Sequence, residues 1–258
     1  MNNRINELFE NKKNNILSIY ITAGYPQLND TIPTLTALQN AGVDMVEIGM
    51  PFSDPLADGP VIQDSSMTAI QNGMSIKLLF EQLQNIRNTI HIPLILMGYL
   101  NPVMQYGIEN FCRDAAAIGI DGVILPDLPL AEYLHEYKSV FEQYNLKNIF
   151  LITPQTSDER VRYIDTHSHG FIYMVSTSSI TGHKEGTADT QVAYFERIVN
   201  MKLKNPTMIG FGIRDRQSFE KACKYSSGAI IGTAFIQSVK GSKDLSNDIA
   251  RFVKSIYH

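Results

Sequence analysis

Eight short apolar runs follow one another along the chain at intervals of roughly 20 to 35 residues, and segments of helical spacing separate them; few architectures accept that rhythm. The runs are Ile16–Thr22, Met45–Met50, Ile92–Met97, Gly122–Leu125, Asn148–Thr153, Phe171–Ser176, Thr207–Gly210 and Gly228–Ile231. They read as strands of a parallel sheet covered on both faces, because such strands are apolar nearly throughout. After Asp30, a plausible N-cap, the residues Ile32, Leu35, Leu38 and Ala41 share one helical face, and Gly42 closes the helix. Ile76, Leu79, Phe80, Leu83 and Ile86 repeat the pattern between Ser75 and Asn88. Further helices are predicted over 3–13, 107–117, 131–144, 158–166, 192–201, 216–223 and 245–256. For 258 residues this alternation predicts an α/β fold, a single (β/α)8 TIM barrel domain with an extra N-terminal helix. An open doubly wound sheet is the rival, but it usually has fewer strands and a glycine-rich first loop, whereas TAGYP after the first run lacks GxGxxG.

Charge excludes some partners. A net charge of -4 and a pI near 5.9 leave no dense field of Lys and Arg for nucleic acid or an anionic membrane. There is no apolar stretch of about 18 residues and no signal-peptide core at MNNRINELFENKKNN, so a soluble, cytoplasmic protein is expected. Cys112 and Cys223 are far apart without metal-ligand spacing and read as buried free thiols. His167 and His169 lack a nearby third ligand, so they are assigned to an exposed turn and no metal is expected.

Candidate chemistry gathers where barrel strands end. Glu47 interrupts the second apolar run, and a carboxylate pointing inward there is paired, protonated or used. No run supplies an inward cation to pair with it, which favours use. Beyond it, PFSDPLADGP presents Asp54 and Asp58 from a loop; Asp54 precedes a proline and reads as a turn former, while Asp58 before Gly59 is open between turn chemistry and function. Tyr99, Asp127 and Tyr173 lie near other strand ends, where Asp127 could fix a loop and Tyr173 could be core. Glycines add a second signal: Gly210-Phe211-Gly212 follows the seventh run and Gly232-Thr233 the eighth, at the recurrent phosphate cradle of this fold. Gly182, in the long polar connection Thr177–Thr190, could add a third donor.

The segments VEIGMPFSDPLADGPVIQ, GFGI, GAIIGTAF and the PDLP turn closely resemble the alpha subunit family of tryptophan synthase, over nearly the whole chain. The resemblance implies a carbon-carbon lyase of tryptophan biosynthesis, cleaving indole-3-glycerol phosphate to indole and glyceraldehyde 3-phosphate by a retro-aldol step, with no cofactor in this subunit. It implies Glu47 as principal acid-base and Asp58 as second catalytic carboxylate. Gly182, Gly212, Gly232 and Thr233 match phosphate-binding positions, and Tyr20, Met97, Ile124, Tyr173, Phe211 and Ile230 match the indole pocket. Thr181 matches a residue coupling its loop to the Asp58 region, and Thr177 departs from an Arg found in some relatives. A beta subunit using pyridoxal phosphate is the implied partner in an alpha2beta2 heterotetramer, meeting the surface Pro51–Pro60 and Asn101–Tyr106. Two alternatives stand beside this reading: a non-catalytic regulatory subunit of the same complex, and another sugar-phosphate barrel enzyme.

Overall fold

Every one of the eight apolar runs becomes strand, and every paired neighbour is parallel. The computed structural model describes residues 3–55, 58–176 and 188–257. Its strands are β1 (Ile16–Thr22), β2 (Met45–Gly49), β3 (Leu94–Met97), β4 (Gly122–Ile124), β5 (Lys147–Asn148), β6 (Phe150–Ile152), β7 (Ile172–Val175), β8 (Thr207–Gly210) and β9 (Gly228–Ile231). They are ordered β5-β4-β3-β2-β1-β9-β8-β7-β6. The two ends of that sheet, β5 and β6, are halves of the fifth run on either side of Ile149, whose N–H donates to the Val123 carbonyl at 2.9 Å. The sheet therefore closes into a barrel of eight strand positions and leaves no long edge.

Parity decides which side chains fill the barrel. Alternate residues of a strand face opposite sides, so Met45, Ile95, Ile124, Tyr173, Met208 and Ile230 form an inner cluster, while Val46, Ile48, Leu94 and Leu96 pack outward with the helices. The register pairs Tyr20 with Glu47 and Glu47 with Ile95, which puts Glu47 on the inner face two residues above Met45. At the barrel's N-terminal end the extra helix Arg4–Asn11 is seated by Asn3, whose side chain accepts the Ile5 N–H. Its buried Ile5 and Phe9 join the inner cluster, each contributing about 1.5–3 kcal/mol by area, and the Phe9 ring lies 5.7 Å from that of Phe171.

Two helices depart from the sequence reading. Pro60–Gln71 forms where Gly59 and Pro60 suggest continued loop, because proline is well tolerated at the first helical position, where its missing N–H has no intrahelical acceptor anyway. Leu100–Tyr106 forms where Asn101-Pro102 suggests a turn, with Pro102 inside the first helical turn for the same reason. Asp30 sits at the start of the helix Thr31–Asn40 but makes no side-chain cap; its carboxylate accepts the Gln27 N–H instead. His167 ends the helix Asp158–His167, its ring nitrogen 2.8 Å from the Tyr163 carbonyl, so it belongs to the last helical turn; His169 follows and is exposed. Cys112 is buried and Cys223 half-buried, both as free thiols. Among the described residues no helix is long and apolar enough to cross a membrane, and no group of three His, Cys, Asp or Glu is placed to hold a metal.

Candidate active site

Glu47 emerges near the C-terminal end of β2 into a cavity of about 360 Å³ at the mouth of the barrel. It is 0% exposed, and neither carboxylate oxygen has a hydrogen-bond partner among the described residues. Burial alone raises its pKa from 4.5 to about 8, since the charged form has lost water and gained no donor. A carboxyl group poised there exchanges a proton near neutral pH.

Asp58 reaches the same cavity from the loop after β2. Its backbone is pinned from two directions: the Asp58 N–H donates to the Pro55 carbonyl at 3.1 Å, and Gln63 of the helix Pro60–Gln71 donates its side-chain amide to the Asp58 carbonyl at 2.9 Å. The side chain accepts the Tyr99 hydroxyl at 3.0 Å. Burial raises the Asp58 pKa and the Tyr99 hydrogen bond opposes that rise. Two acids thus share one cavity in different surroundings, one fully buried with no hydrogen-bond partner among the described residues and one held by a phenol.

The walls are mostly apolar. Tyr20, Met97, Tyr173, Phe211 and Ile230 line the cavity with Ile62, and burial pushes the Tyr20 and Tyr173 phenols upward so that both stay neutral. Room for those rings depends on two glycines. A Cβ at Gly49 would lie 2.1 Å from the Tyr20 hydroxyl oxygen, and one at Gly210 would lie 2.0 Å from that of Tyr173. Gly212, Gly232 and Thr233 also line the wall, just after the ends of β8 and β9. Phe211 and Gly212 both take positive φ, 66° and 75°, and the Ser176 hydroxyl donates to the Phe211 carbonyl, which ties that unusual turn to the end of β7.

Most of the sequence candidates meet here. Ile124 does not: it faces inward, but it is fully buried in the inner cluster and is absent from the cavity wall. Thr177, Thr181 and Gly182 lie outside the described residues. Asp127 accepts the Leu100 N–H at 2.9 and 3.1 Å and so fixes the start of the helix Leu100–Tyr106, and Asp54 accepts the neighbouring Ser53 hydroxyl at 2.7 Å. Sequence reasoning missed Ile62, Ile213, Arg214, Ala234 and Gln237. Of these, Ile213 and Ala234 lie within the GFGI and GTAF segments and Arg214 and Gln237 follow them closely, so the glycine signal could have drawn them in.

Residues 6–256 match the family model described as tryptophan synthase alpha chain. The chain is 57% identical over 256 residues to the tryptophan synthase alpha chain of Flavobacterium johnsoniae, covering 99% of this chain and 100% of that one. It is 52% identical over 254 residues to that of Parabacteroides distasonis, covering 98% and 99%. The chain belongs to the tryptophan synthase alpha chain family. Among solved structures, tryptophan synthase subunit alpha from Legionella pneumophila superposes with a TM-score of 0.89 at 33% identity, covering 99% of this chain and 97% of that one. An aminoacrylate-bound tryptophan synthase from M. tuberculosis gives 0.86 at 26% identity, covering 99% and 98%. The family's reaction, cleavage of indole-3-glycerol phosphate in tryptophan biosynthesis, is this chain's function, and the protein is a lyase.

Proposed function

We propose that Glu47 and Asp58 carry the carbon-carbon bond cleavage between them, as an aldehyde-lyase reaction without a cofactor in this chain. Three things must happen to the substrate. A proton arrives at the indole C3, the ring nitrogen bears positive charge in the resulting indolenine-like intermediate, and the hydroxyl beside the ring gives up its proton as the bond to C3 breaks. The electron pair of that bond returns to the ring, so the products are neutral indole and the aldehyde, glyceraldehyde 3-phosphate. Glu47 serves the proton movements, because an unpartnered carboxyl with a pKa raised to about 8 can both give and take a proton. Asp58 accepts the ring N–H and stabilises the charge that develops there.

The observation that carries this reading is the fully buried, unpartnered Glu47 facing an apolar cavity that also holds Asp58. Tyr20, Met97, Tyr173, Phe211 and Ile230 suit a flat aromatic ring, and Gly212, Gly232 and Thr233 suit its phosphate through backbone N–H groups. Ile124 contributes support beneath this pocket, while Gly182 serves phosphate binding and Thr181 serves coupling to the Asp58 region. The partner is a beta subunit holding pyridoxal phosphate in an alpha2beta2 assembly in the cytoplasm, docked across Pro51–Pro60 and Asn101–Tyr106. Indole release by the purified chain, alone and with a beta subunit, tests the proposal. Glu47→Gln and Asp58→Asn should each lose at least ~100-fold in turnover. Undiminished turnover in Glu47→Gln would overturn the assignment.

A further inference from the structure

The cavity holds two carboxylates, Glu47 and Asp58, and among the described residues lining it the only cationic side chain is Arg214. A phosphate monoester brought into such a space meets repulsion from any ionised carboxylate and needs a positive charge to offset it. Arg214 follows the positive-φ residues Phe211 and Gly212 directly, after Ile213, and its backbone is fixed: its N–H donates to the Ser218 hydroxyl at 3.0 Å. Ser218 belongs to the capping box that opens the helix Arg216–Cys223, in which Asp215 Oδ1 accepts the Ser218 N–H at 2.8 Å and its hydroxyl at 2.7 Å. Asp215 has therefore committed one carboxylate oxygen to the helix. Its other oxygen lies 3.5 Å from the Arg214 Nε, a loose contact between chain neighbours, and the Arg214 side chain is 80% exposed. Among the described residues the guanidinium has no hydrogen bond or ion pair except that contact at Nε, which leaves both terminal nitrogens for a second anion, in the fork geometry that suits phosphate oxygens.

We propose that Arg214 is the side chain that recognises the phosphate of the substrate, holding it from the rim while backbone donors of the glycine loops hold it from below. This rests on the reading of the cavity as a site for a phosphate-bearing indole. Arg214 touches only the phosphate end, so it governs affinity and leaves the reacting carbon to the two acids.

Calorimetric titration of the full chain with two separate probes tests this: glycerol 3-phosphate, which carries the phosphate, and indole, which does not. Arg214→Gln should bind glycerol 3-phosphate about tenfold more weakly than wild type, the low end for a charge-assisted contact at an exposed rim, with indole binding unchanged. Arg214→Lys should recover part of the loss, and added salt should weaken the phosphate probe more in wild type than in Arg214→Gln. In the cleavage assay Arg214→Gln should raise KM more than it lowers kcat. Equal affinity of wild type and Arg214→Gln for glycerol 3-phosphate overturns the proposal. So does an equal fall for both probes, which would assign the effect to loop shape, or an Arg214→Lys that binds no better than Arg214→Gln. Failure of the wild type to bind glycerol 3-phosphate, or to release indole at all, would instead remove the underlying reading.

Discussion

Replacing Glu47 by glutamine should stabilise the folded chain increasingly as pH rises, while it removes activity. The Glu47 carboxyl titrates at about 8 in the folded protein and near 4.5 when free of its surroundings, because burial penalises the charged form. Between those values the unfolded chain ionises Glu47 and the folded chain does not. Stability contributed by the protonated group is therefore fully present below pH about 4.5 and is lost as pH rises through about 8. At ~1.4 kcal/mol for each pH unit between the two values, the complete loss is on the order of 5 kcal/mol. Glutamine has nearly the same shape and no titration, so Glu47→Gln keeps the cavity and loses the pH dependence. Urea unfolding of both proteins at pH 5 and pH 8.5 measures the difference, and a shared offset from the buried amide cancels between the two conditions. The stability gap should grow by several kcal/mol in favour of the variant toward alkaline pH. Parallel pH profiles, with a gap constant to within ~0.5 kcal/mol, would refute a buried, unpartnered Glu47.

Tyr99→Phe removes the hydroxyl that holds down the Asp58 pKa, so the acid limb of the activity profile should move to higher pH, with a loss of a few-fold in indole release at pH 7. Gly49→Ala should lower stability by ~1–3 kcal/mol and impair activity, because the new methyl would lie 2.1 Å from the Tyr20 hydroxyl oxygen and 2.5 Å from its Cζ. The double variant Gly49→Ala with Tyr20→Leu should regain most of that stability in urea unfolding, whereas a strictly additive loss would show that the contact is not the cause. Asp121→Asn should cost ~3 kcal/mol in the same assay without altering the affinity for indole, since Asp121 joins Arg4, Arg87 and the Leu94 N–H at the opposite end of the barrel.

The barrel was legible because its signals are local and repeated. β8, β9 and the helix Arg216–Cys223 have the bounds that their apolar and polar spacing suggests, and β1 does too. Glu47 was legible for a related reason: one charge inside an apolar run breaks a pattern. The helices Pro60–Gln71 and Leu100–Tyr106 were not, because proline reads as a breaker unless its position within the first turn is known. Depth was also hidden. Strand parity turns Ile124 inward, but whether it lines the cavity or lies below depends on the stagger of neighbouring strands. The Tyr99 contact to Asp58 joins residues 41 apart, and Arg214 is an exposed loop charge with no periodic signature, so both needed the closed barrel to become visible.

Two buried carboxyl groups at opposite ends of the barrel show how environment separates support from chemistry. Asp121, 3% exposed, accepts Arg87 at 2.6 Å, Arg4 at 3.0 Å and the Leu94 N–H at 2.9 Å. Those donors come from the N-terminal helix and from the segment that leads into β3, so Asp121 fastens both to the start of β4. A carboxylate committed to fixed donors in this way serves as a clamp and has little use as a proton carrier. Glu47 is buried as deeply, at 0% exposed, and has no donor among the described residues. Giving it a cation would stabilise the fold and hold it ionised, which would end its usefulness as an acid. The missing partner is thus what a proton-transferring residue requires, and the stability it withholds from the folded state is the quantity that the Glu47→Gln titration reads.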